Sequence, residues 1–253
     1  MTTVPEYLSS LLAPYRATEP PPTRPFVTLT FAQSLDGKIA GAEGKQLAIS
    51  GHESLVMTHW LRSLHDAILV GSGTALNDDP QLNLRHLPPG AVGKPPRPIV
   101  LDSRLRLSPT CKLLTNYTNE SGRGPQPWVV AYAPASPDAE WDIRREVLVR
   151  SGARVLVLPA GESPLTAVLT LLRAEGVRSL MVEGGAQIIS AFFAAASETK
   201  CVDTLLITTA PLIVGAAGVG YDVPGASADL PRTFRVVETR LVGRDSVVAF
   251  QTT

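Results

Sequence analysis

The sequence predicts an α/β fold: a mainly parallel central sheet flanked by helices and finished by an antiparallel C-terminal hairpin. Three observations lead there. Short apolar runs recur from residue 26 onward, each bounded by turn residues, as buried strands require. Stretches with helical spacing separate several of these runs, and strand–helix alternation favours a parallel sheet. The end of the chain reads differently, as two strands around a tight turn.

Residues 1–25 predict an N-terminal extension, a short helix around Tyr7–Leu12 ended by the proline-rich "EPPPTRP". A single domain follows over 26–253. It opens on "FVTLTFA", which alternates and is β-branched. The runs "AILV" (67–70), "PIVL" (98–101), "WVVAYA" (128–133), "VLVL" (155–158), "LMV" (180–182) and "TLLITT" (204–209) predict further strands. Helices are expected at "GHESLVMTHWLRSLH" (51–65), "SPLTAVLTLLRAEG" (163–176) and "AQIISAFFAAA" (186–196). In the second of these, Leu165, Val168, Leu169 and Leu172 share a face and Gly176 supplies the stop. "FRVVETRLVGRDSVVAFQ" predicts a hairpin around Gly243–Asp245. "HLPPGAVGKPPRP" (86–98) and "NYTNESGRGPQP" (116–127) read as long polar loops, because strands resume on either side.

Composition narrows the function. The chain has 253 residues, 44% of them hydrophobic, and a formal net charge of zero. That permits a sizeable core and argues against a nucleic-acid or membrane-surface partner, which needs a basic face. Two cysteines, Cys111 and Cys201, stand in no CxxC spacing, so neither a disulfide framework nor a structural zinc site is expected. The N-terminus lacks a basic segment before an apolar run, and no stretch approaches the ~20 apolar residues of a membrane span. A reducing, cytoplasmic setting is the expectation, in which the glycosylation-like matches at Asn116 and Asn119 carry no meaning.

The most specific local pattern is "LVGSGTALNDDPQLNLR" (69–85). Gly71-Ser72-Gly73-Thr74 leaves a strand and enters a short helical turn. Exposed backbone N–H groups and a helix start favour a phosphate there, while the plainer reading is a tight strand exit. It is not a dinucleotide-binding fingerprint, since Leu76 stands where the third glycine belongs, and no G-K-[ST] follows. Asp78 and Asp79 make a poor metal pair, because adjacent carboxylates point apart; Asp-Asp-Pro reads as a capped turn. "MVEGGAQIIS" (181–190) repeats strand, Gly184-Gly185, helix. The two crossings, expected at opposite ends of the sheet, would hold the two ends of a dinucleotide. Glu183 stands at the strand end and points toward whatever the glycines approach, or else caps the next helix.

"FAQSLDGKIAG", "MTHWLRSLHDAILVGSGTALNDDPQLNLR", "PIVLDSRLRLSP" and "VEGGAQIISAFF" together resemble, in that order, the reductases of the riboflavin pathway, from roughly Arg24 to the C-terminus. The likeness is to the stand-alone fungal and archaeal form. The bacterial form is fused to a zinc deaminase, whose H-x-E and P-C-x-x-C elements are missing here. The resemblance implies a dihydrofolate-reductase-like fold, NADPH as cofactor, and a homodimer; the apolar "FFAAA" (192–196) is a candidate contributor to its interface. It implies reduction of the ribosylamino side chain of a phosphorylated pyrimidine to the ribitylamino form, with no metal.

Residue by residue, the resemblance puts Thr74 and Asp78 in the cofactor site, with Gly71 and Gly73 shaping the turn. Ser103, Ala160 and the segment from Gly184 through Gly185, Ala186 and Gln187 to Ser190 are further implied cofactor contacts. Arg62, Leu82, Arg85 and Glu183 are implied around the substrate. The chemistry agrees, since an arginine fork suits a phosphate and a carboxylate accepts from ribose hydroxyls. "SLDGKI" is expected to set Asp36 and Lys38 on one face of an extended segment beside the nicotinamide pocket; read plainly, it is an Asp-Gly turn. In the implied reaction the ribosylamine opens to an imine whose C1′ accepts a hydride, and a proton must reach the ring oxygen. Lys38 and Glu183 are the candidate catalytic residues for that proton. "LDSRLR" adds Arg104 and Arg106 past a strand end, where a 2′-phosphate can sit, although Asp102 argues for the cofactor without one. Two rivals stand beside this reading: a pterin reductase using Glu53 of the early helix, and a non-catalytic nucleotide-binding module.

Overall fold

A strand as apolar as "AILV" needs cover on both faces, and the chain supplies it with helices, whereas "VLVL" lies at the sheet edge with Val157 exposed. A computed structural model describes residues 3–119, 124–159, 164–223 and 233–253. Among them β1 (Phe26–Ser34), β2 (Ala67–Gly71), β3 (Arg97–Leu101), β4 (Trp128–Tyr132), β5 (Arg154–Leu158), β6 (Ser179–Val182), β7 (Thr204–Ala210), β8 (Phe234–Val242) and β9 (Asp245–Thr252) form one sheet. Its order is β5-β4-β3-β2-β6-β1-β7-β9-β8. Pairings from β5 to β7 are parallel; β7–β9 and β9–β8 are antiparallel. The predicted class is the observed one. The hairpin turns at Gly243, whose φ of 60° is the left-handed conformation that glycine adopts without strain.

The described helices are α1 (Glu6–Leu11), α2 (Ala13–Ala17), α3 (His52–Ser63), α4 (Ser72–Asp78), α5 (Lys112–Thr118), α6 (Ala139–Arg150), α7 (Pro164–Ala174) and α8 (Ala186–Thr199). On one face of the sheet, Val168, Leu169 and Leu172 of α7 and Ile189 and Phe192 of α8 pack on Val27, Leu29, Leu69 and Val182. On the other, α5 and α6 cover one half through Leu113, Leu114, Trp141 and Leu148. Leu8, Leu12, Trp60 and Leu61 of α1–α3 cover the other half against Phe26, Met181, Leu206 and Ala249. The N-terminal extension is thus part of the core. No helix among the described residues is long and apolar enough to cross a membrane.

Three expectations need correction here. α5 and α6 stand where the sequence predicts no helix, and the loop expected at 116–127 begins only after α5. Ile143 and Val149 of α6 face solvent, 61% and 50% exposed, so its apolar residues do not gather into one stripe. The "FFAAA" stretch does not offer an interface: Phe192, Phe193 and Ala196 are buried on the inner face of α8.

α3 is held at both ends. Asp245, fully buried at the hairpin turn, accepts from the Gly51 N–H at 2.8 Å, just before the helix. At the other end His65 Nδ1 donates to the Leu61 carbonyl at 2.8 Å, because a carbonyl can only accept. Burial holds His65 neutral, its pKa pushed down to about 4, so Nε2 accepts from Thr28 Oγ1 at 2.8 Å. Tyr15 OH of α2 joins the same chain, 3.0 Å from Thr28 Oγ1 and from the Val27 carbonyl.

Candidate active site

β2 and β6 are neighbours, paired from Ala67↔Leu180 to Leu69↔Val182, so their glycine turns open side by side at the C-terminal edge of the sheet. This corrects the expectation of crossings at opposite ends of the sheet: β6 returns to the middle and inserts between β2 and β1. A reversal of strand order of this kind is where open parallel sheets bind ligands.

The four glycines divide by what surrounds them. A Cβ on Gly71 would lie 2.8 Å from Ile188 Cγ1, and one on Gly184 would collide with Ile188 Cβ and Cγ2. Neither residue has a positive φ. These two are notches that seat the Ile188 side chain of α8 against β2 and β6. Gly185 and Gly73 have other surroundings: a Cβ on Gly185 would come within 2.8 Å of Thr74 Oγ1, and one on Gly73 would meet nothing within 4 Å. No side chain caps α8, so its first N–H groups are open to a ligand. Ala186 and Gln187 lie in that first turn, whereas Ser190 Oγ is occupied as acceptor for the Asp222 N–H at 2.9 Å.

Thr74 and Asp78 stand one turn apart on the same face of α4. Asp78 is half-buried, its carboxylate makes no hydrogen bond among the described residues, and its pKa is raised by desolvation. Asp79 ends α4 with φ 42° and accepts from the Lys112 N–H at 2.9 Å, capping α5. The two carboxylates therefore serve different ends. Among the described residues no group of three or more histidines, cysteines or acids can hold a metal.

Arg62, in the last turn of α3, is only 7% exposed. Its Nε and Nη2 fork onto Glu183 Oε1 and Oε2 at 2.7 and 2.6 Å, and Nη1 donates to the Asn83 carbonyl at 3.0 Å. Glu183 is placed by its own N–H, which continues the ladder to Leu69 O at 3.0 Å. It caps no helix. Arg85 Nη1 reaches Asn83 Oδ1 at 3.4 Å, and burial together with the Arg62 charge lowers its pKa. Leu82 has φ 47° and its side chain is buried in the core, so only its backbone is available to a ligand. Sequence reasoning missed His59, one turn before Arg62, and His86, whose ring meets that of His59 edge-on at 4.8 Å. The three-residue spacing from Arg62 was the signal that could have found His59.

Asp36 and Lys38 sit in a turn, not an extended segment. Gly37 has φ 71°, and the Ser34 N–H donates to the Lys38 carbonyl at 2.9 Å. Asp36 accepts from Ser34 Oγ at 2.5 Å and from the Val214 and Gly215 N–H groups at 3.1 and 2.8 Å. These bonds, the Ser34 hydroxyl first, hold its pKa down to about 2. Lys38 Nζ makes no hydrogen bond or ion pair among the described residues. The Asp36 contribution to anchoring this loop is complete above the ordinary carboxylate pKa of about 4 and is lost as pH falls toward 2. Asp36→Asn is expected to speed hydrogen exchange at the Val214 and Gly215 amides at neutral pH. Unchanged protection there would refute the anchoring role.

At the next strand, Ser103 is exposed and its carbonyl accepts from Trp141 Nε1 at 3.3 Å. Asp102 is buried beneath it, taking the Leu107 N–H at 2.8 Å, with Arg106 Nε 3.8 Å from its other oxygen. Arg106 also reaches Ser72 Oγ at 3.1 Å, which sets a cation beside the start of α4. Ala160 lies outside the described residues.

A family model described as the RibD C-terminal domain matches residues 25–248. The chain belongs to this family. Within the RibD C-terminal domain family, the chain is 38% identical over 212 residues to the 2,5-diamino-6-ribosylamino-4(3H)-pyrimidinone 5′-phosphate reductase of Debaryomyces hansenii, covering 80% of this chain and 81% of that one. It is 36% identical over 207 residues to the same-named protein of Archaeoglobus fulgidus, covering 79% and 85%. A solved structure of the riboflavin biosynthesis reductase of Saccharomyces cerevisiae superposes with a TM-score of 0.71 at 26% identity, over 97% of this chain and 99% of that one.

Proposed function

We propose that this chain reduces the ribosylamino side chain of 2,5-diamino-6-ribosylamino-4(3H)-pyrimidinone 5′-phosphate to the ribitylamino form with NADPH. The observation that carries this reading is the buried Arg62–Glu183 fork at the β6 turn, beside a second arginine, Arg85. A phosphorylated, hydroxyl-rich substrate matches that pairing: Arg85 takes the phosphate and Glu183 accepts from the ribose.

The residues along the C-terminal edge fit the cofactor. Gly73 opens onto free space, α8 starts uncapped, and Thr74 and Asp78 line one face of α4. Arg106 beside Ser72 supports a cofactor carrying a 2′-phosphate, while Asp102 is buried under its own loop and does not face one. Bound NADPH supplies the hydride. The chain's own residues orient the ribose against it and provide the proton, for which Lys38 Nζ, without a partner among the described residues, is the candidate. Glu183 acts as acceptor and orienter.

The pterin alternative loses its carboxylate. Glu53 stands at the far end of α3 from Arg62, where a Cβ on Gly243 would touch it at 2.5 Å. It lines a cleft of about 930 Å³ between α1, α3 and β8 rather than the strand ends. A homodimer and a cytoplasmic setting belong to the proposal. The exposed Val236 and Leu241 on the edge strand β8 support self-association there, and the two free, buried thiols support a reducing compartment.

The decisive experiment follows NADPH absorbance with and without the ribosylamino-pyrimidine phosphate. Decay only when both are present supports the enzyme; binding of NADPH without turnover leaves the non-catalytic module instead. Asp78→Ala is expected to raise the NADPH KM about tenfold, the loss of one charge-assisted hydrogen bond, with kcat largely kept. An unchanged KM would remove Asp78 from the cofactor site.

A further inference from the structure

Arg62 has five N–H donors, and the protein engages four of them. Nε and Nη2 take Glu183, and one Nη1 proton takes the Asn83 carbonyl. The other Nη1 proton faces His59 Nε2, at 3.5 Å, long for a hydrogen bond. A guanidinium cannot accept, so in this contact Nε2 does and the ring proton sits on Nδ1. There it is buried without a hydrogen-bond partner. The opposite tautomer would leave the ring donating to the Asn83 carbonyl instead. His59 itself is fully buried.

We propose that His59 is a positioning residue: as a neutral acceptor on Arg62 Nη1 it fixes the guanidinium plane, so that the remaining Nη2 donor and the Glu183 carboxylate meet the substrate together. The proposal rests on the reading of Arg62 and Glu183 as substrate contacts. Two features support it besides the geometry. Burial first, then the Arg62, His86 and Arg85 charges, outweigh a hydrogen bond to the Asn83 backbone and drive the His59 pKa down to about 2, so the ring is never a competing cation at working pH. The orphaned Nδ1–H is a cost to the fold, and a group kept at such a cost is explained by what its other end does.

That cost gives the test its direction. His59→Leu removes both the orphan and the acceptor. It is expected to lower kcat/KM for the pyrimidine phosphate about tenfold, leave the NADPH KM unchanged, and keep or raise Tm; His59→Gln, whose amide oxygen reaches where Nε2 stood, should recover to within about threefold of wild type. A merely structural histidine gives the opposite, a lower Tm with intact kcat/KM, and that result overturns the proposal. Equal loss in the Gln and Leu variants overturns it too. Nitrogen-15 NMR of the wild-type protein decides independently of turnover. Nε2 should be unprotonated and stay so below about pH 5, whereas a proton on Nε2 refutes the role. If wild type fails to reduce the pyrimidine phosphate, the functional reading falls, while the ring-nitrogen spectrum still judges the contact with Arg62.

Discussion

Glu183→Gln should lower kcat/KM for the pyrimidine phosphate by about a hundredfold or more, the loss of a charge-assisted bond to the ribose and of the alignment it shares with Arg62. The amide keeps the shape of the carboxylate but turns an N–H toward a guanidinium that also offers only N–H. The pair is largely buried, with side chains 9% and 17% exposed, so stability should fall as well, by about 3 kcal/mol. A carboxylate that only capped α8 would leave a different trace, but Glu183 makes no such cap. NADPH affinity should hardly move, because the Gly184–Gly185 backbone is kept. A variant that loses stability yet retains full kcat/KM would end the substrate role of Glu183 while leaving its structural one. Arg62 and Glu183 should also couple in a double-mutant cycle, since they share one set of bonds.

Gly184→Ala is expected to destabilise the protein by about 3 kcal/mol, at the upper end for overpacking, because the new methyl collides with the Cβ of Ile188 and only backbone movement relieves it. Gly71→Ala should cost less, since its methyl meets the outer Cγ1 of the same side chain at 2.8 Å. Adding Ile188→Ala separates the two. It removes Cγ1 and Cδ1 and so rescues Gly71→Ala, but it retains the Cβ and fails to rescue Gly184→Ala. Thermal unfolding of the four variants reads this directly. Rescue of neither would show that the glycines are needed for something other than seating Ile188, and rescue of both that the Gly184 methyl is accommodated once Cγ2 is gone.

Every sheet strand that the sequence marks as an apolar run is present, because a strand with at least one buried face leaves its mark within a few residues. The helices that escaped notice did so for physical reasons. α6 presents Ile143 and Val149 to solvent, and α5 is capped by Asp79 from 33 positions away. The candidate residues were legible as a resemblance, yet their partners were not: nothing near Arg62 in the chain announces Glu183, 121 residues later. The glycine turns were legible as turns, but two of the four accommodate Ile188 rather than a phosphate, which only the neighbouring strand could reveal. Asp36 was placed beside Lys38 by spacing alone. The Val214 and Gly215 amides that occupy its carboxylate come from the far side of β7.

The way α3 is secured has a consequence for the order in which the molecule comes into being. Its start is tied to Asp245 across 194 residues, and its last turn to Glu183 across 121. The turn at Asp36 waits on Gly215, 179 residues further along. Contacts so remote in the chain close late, since each long loop must be gathered before it is rewarded. During synthesis the strands from β2 to β5 can therefore associate while the edge that carries Asp36, Arg62 and Glu183 is still unmade, and residues as far along as Asp245 must leave the ribosome before these contacts exist together.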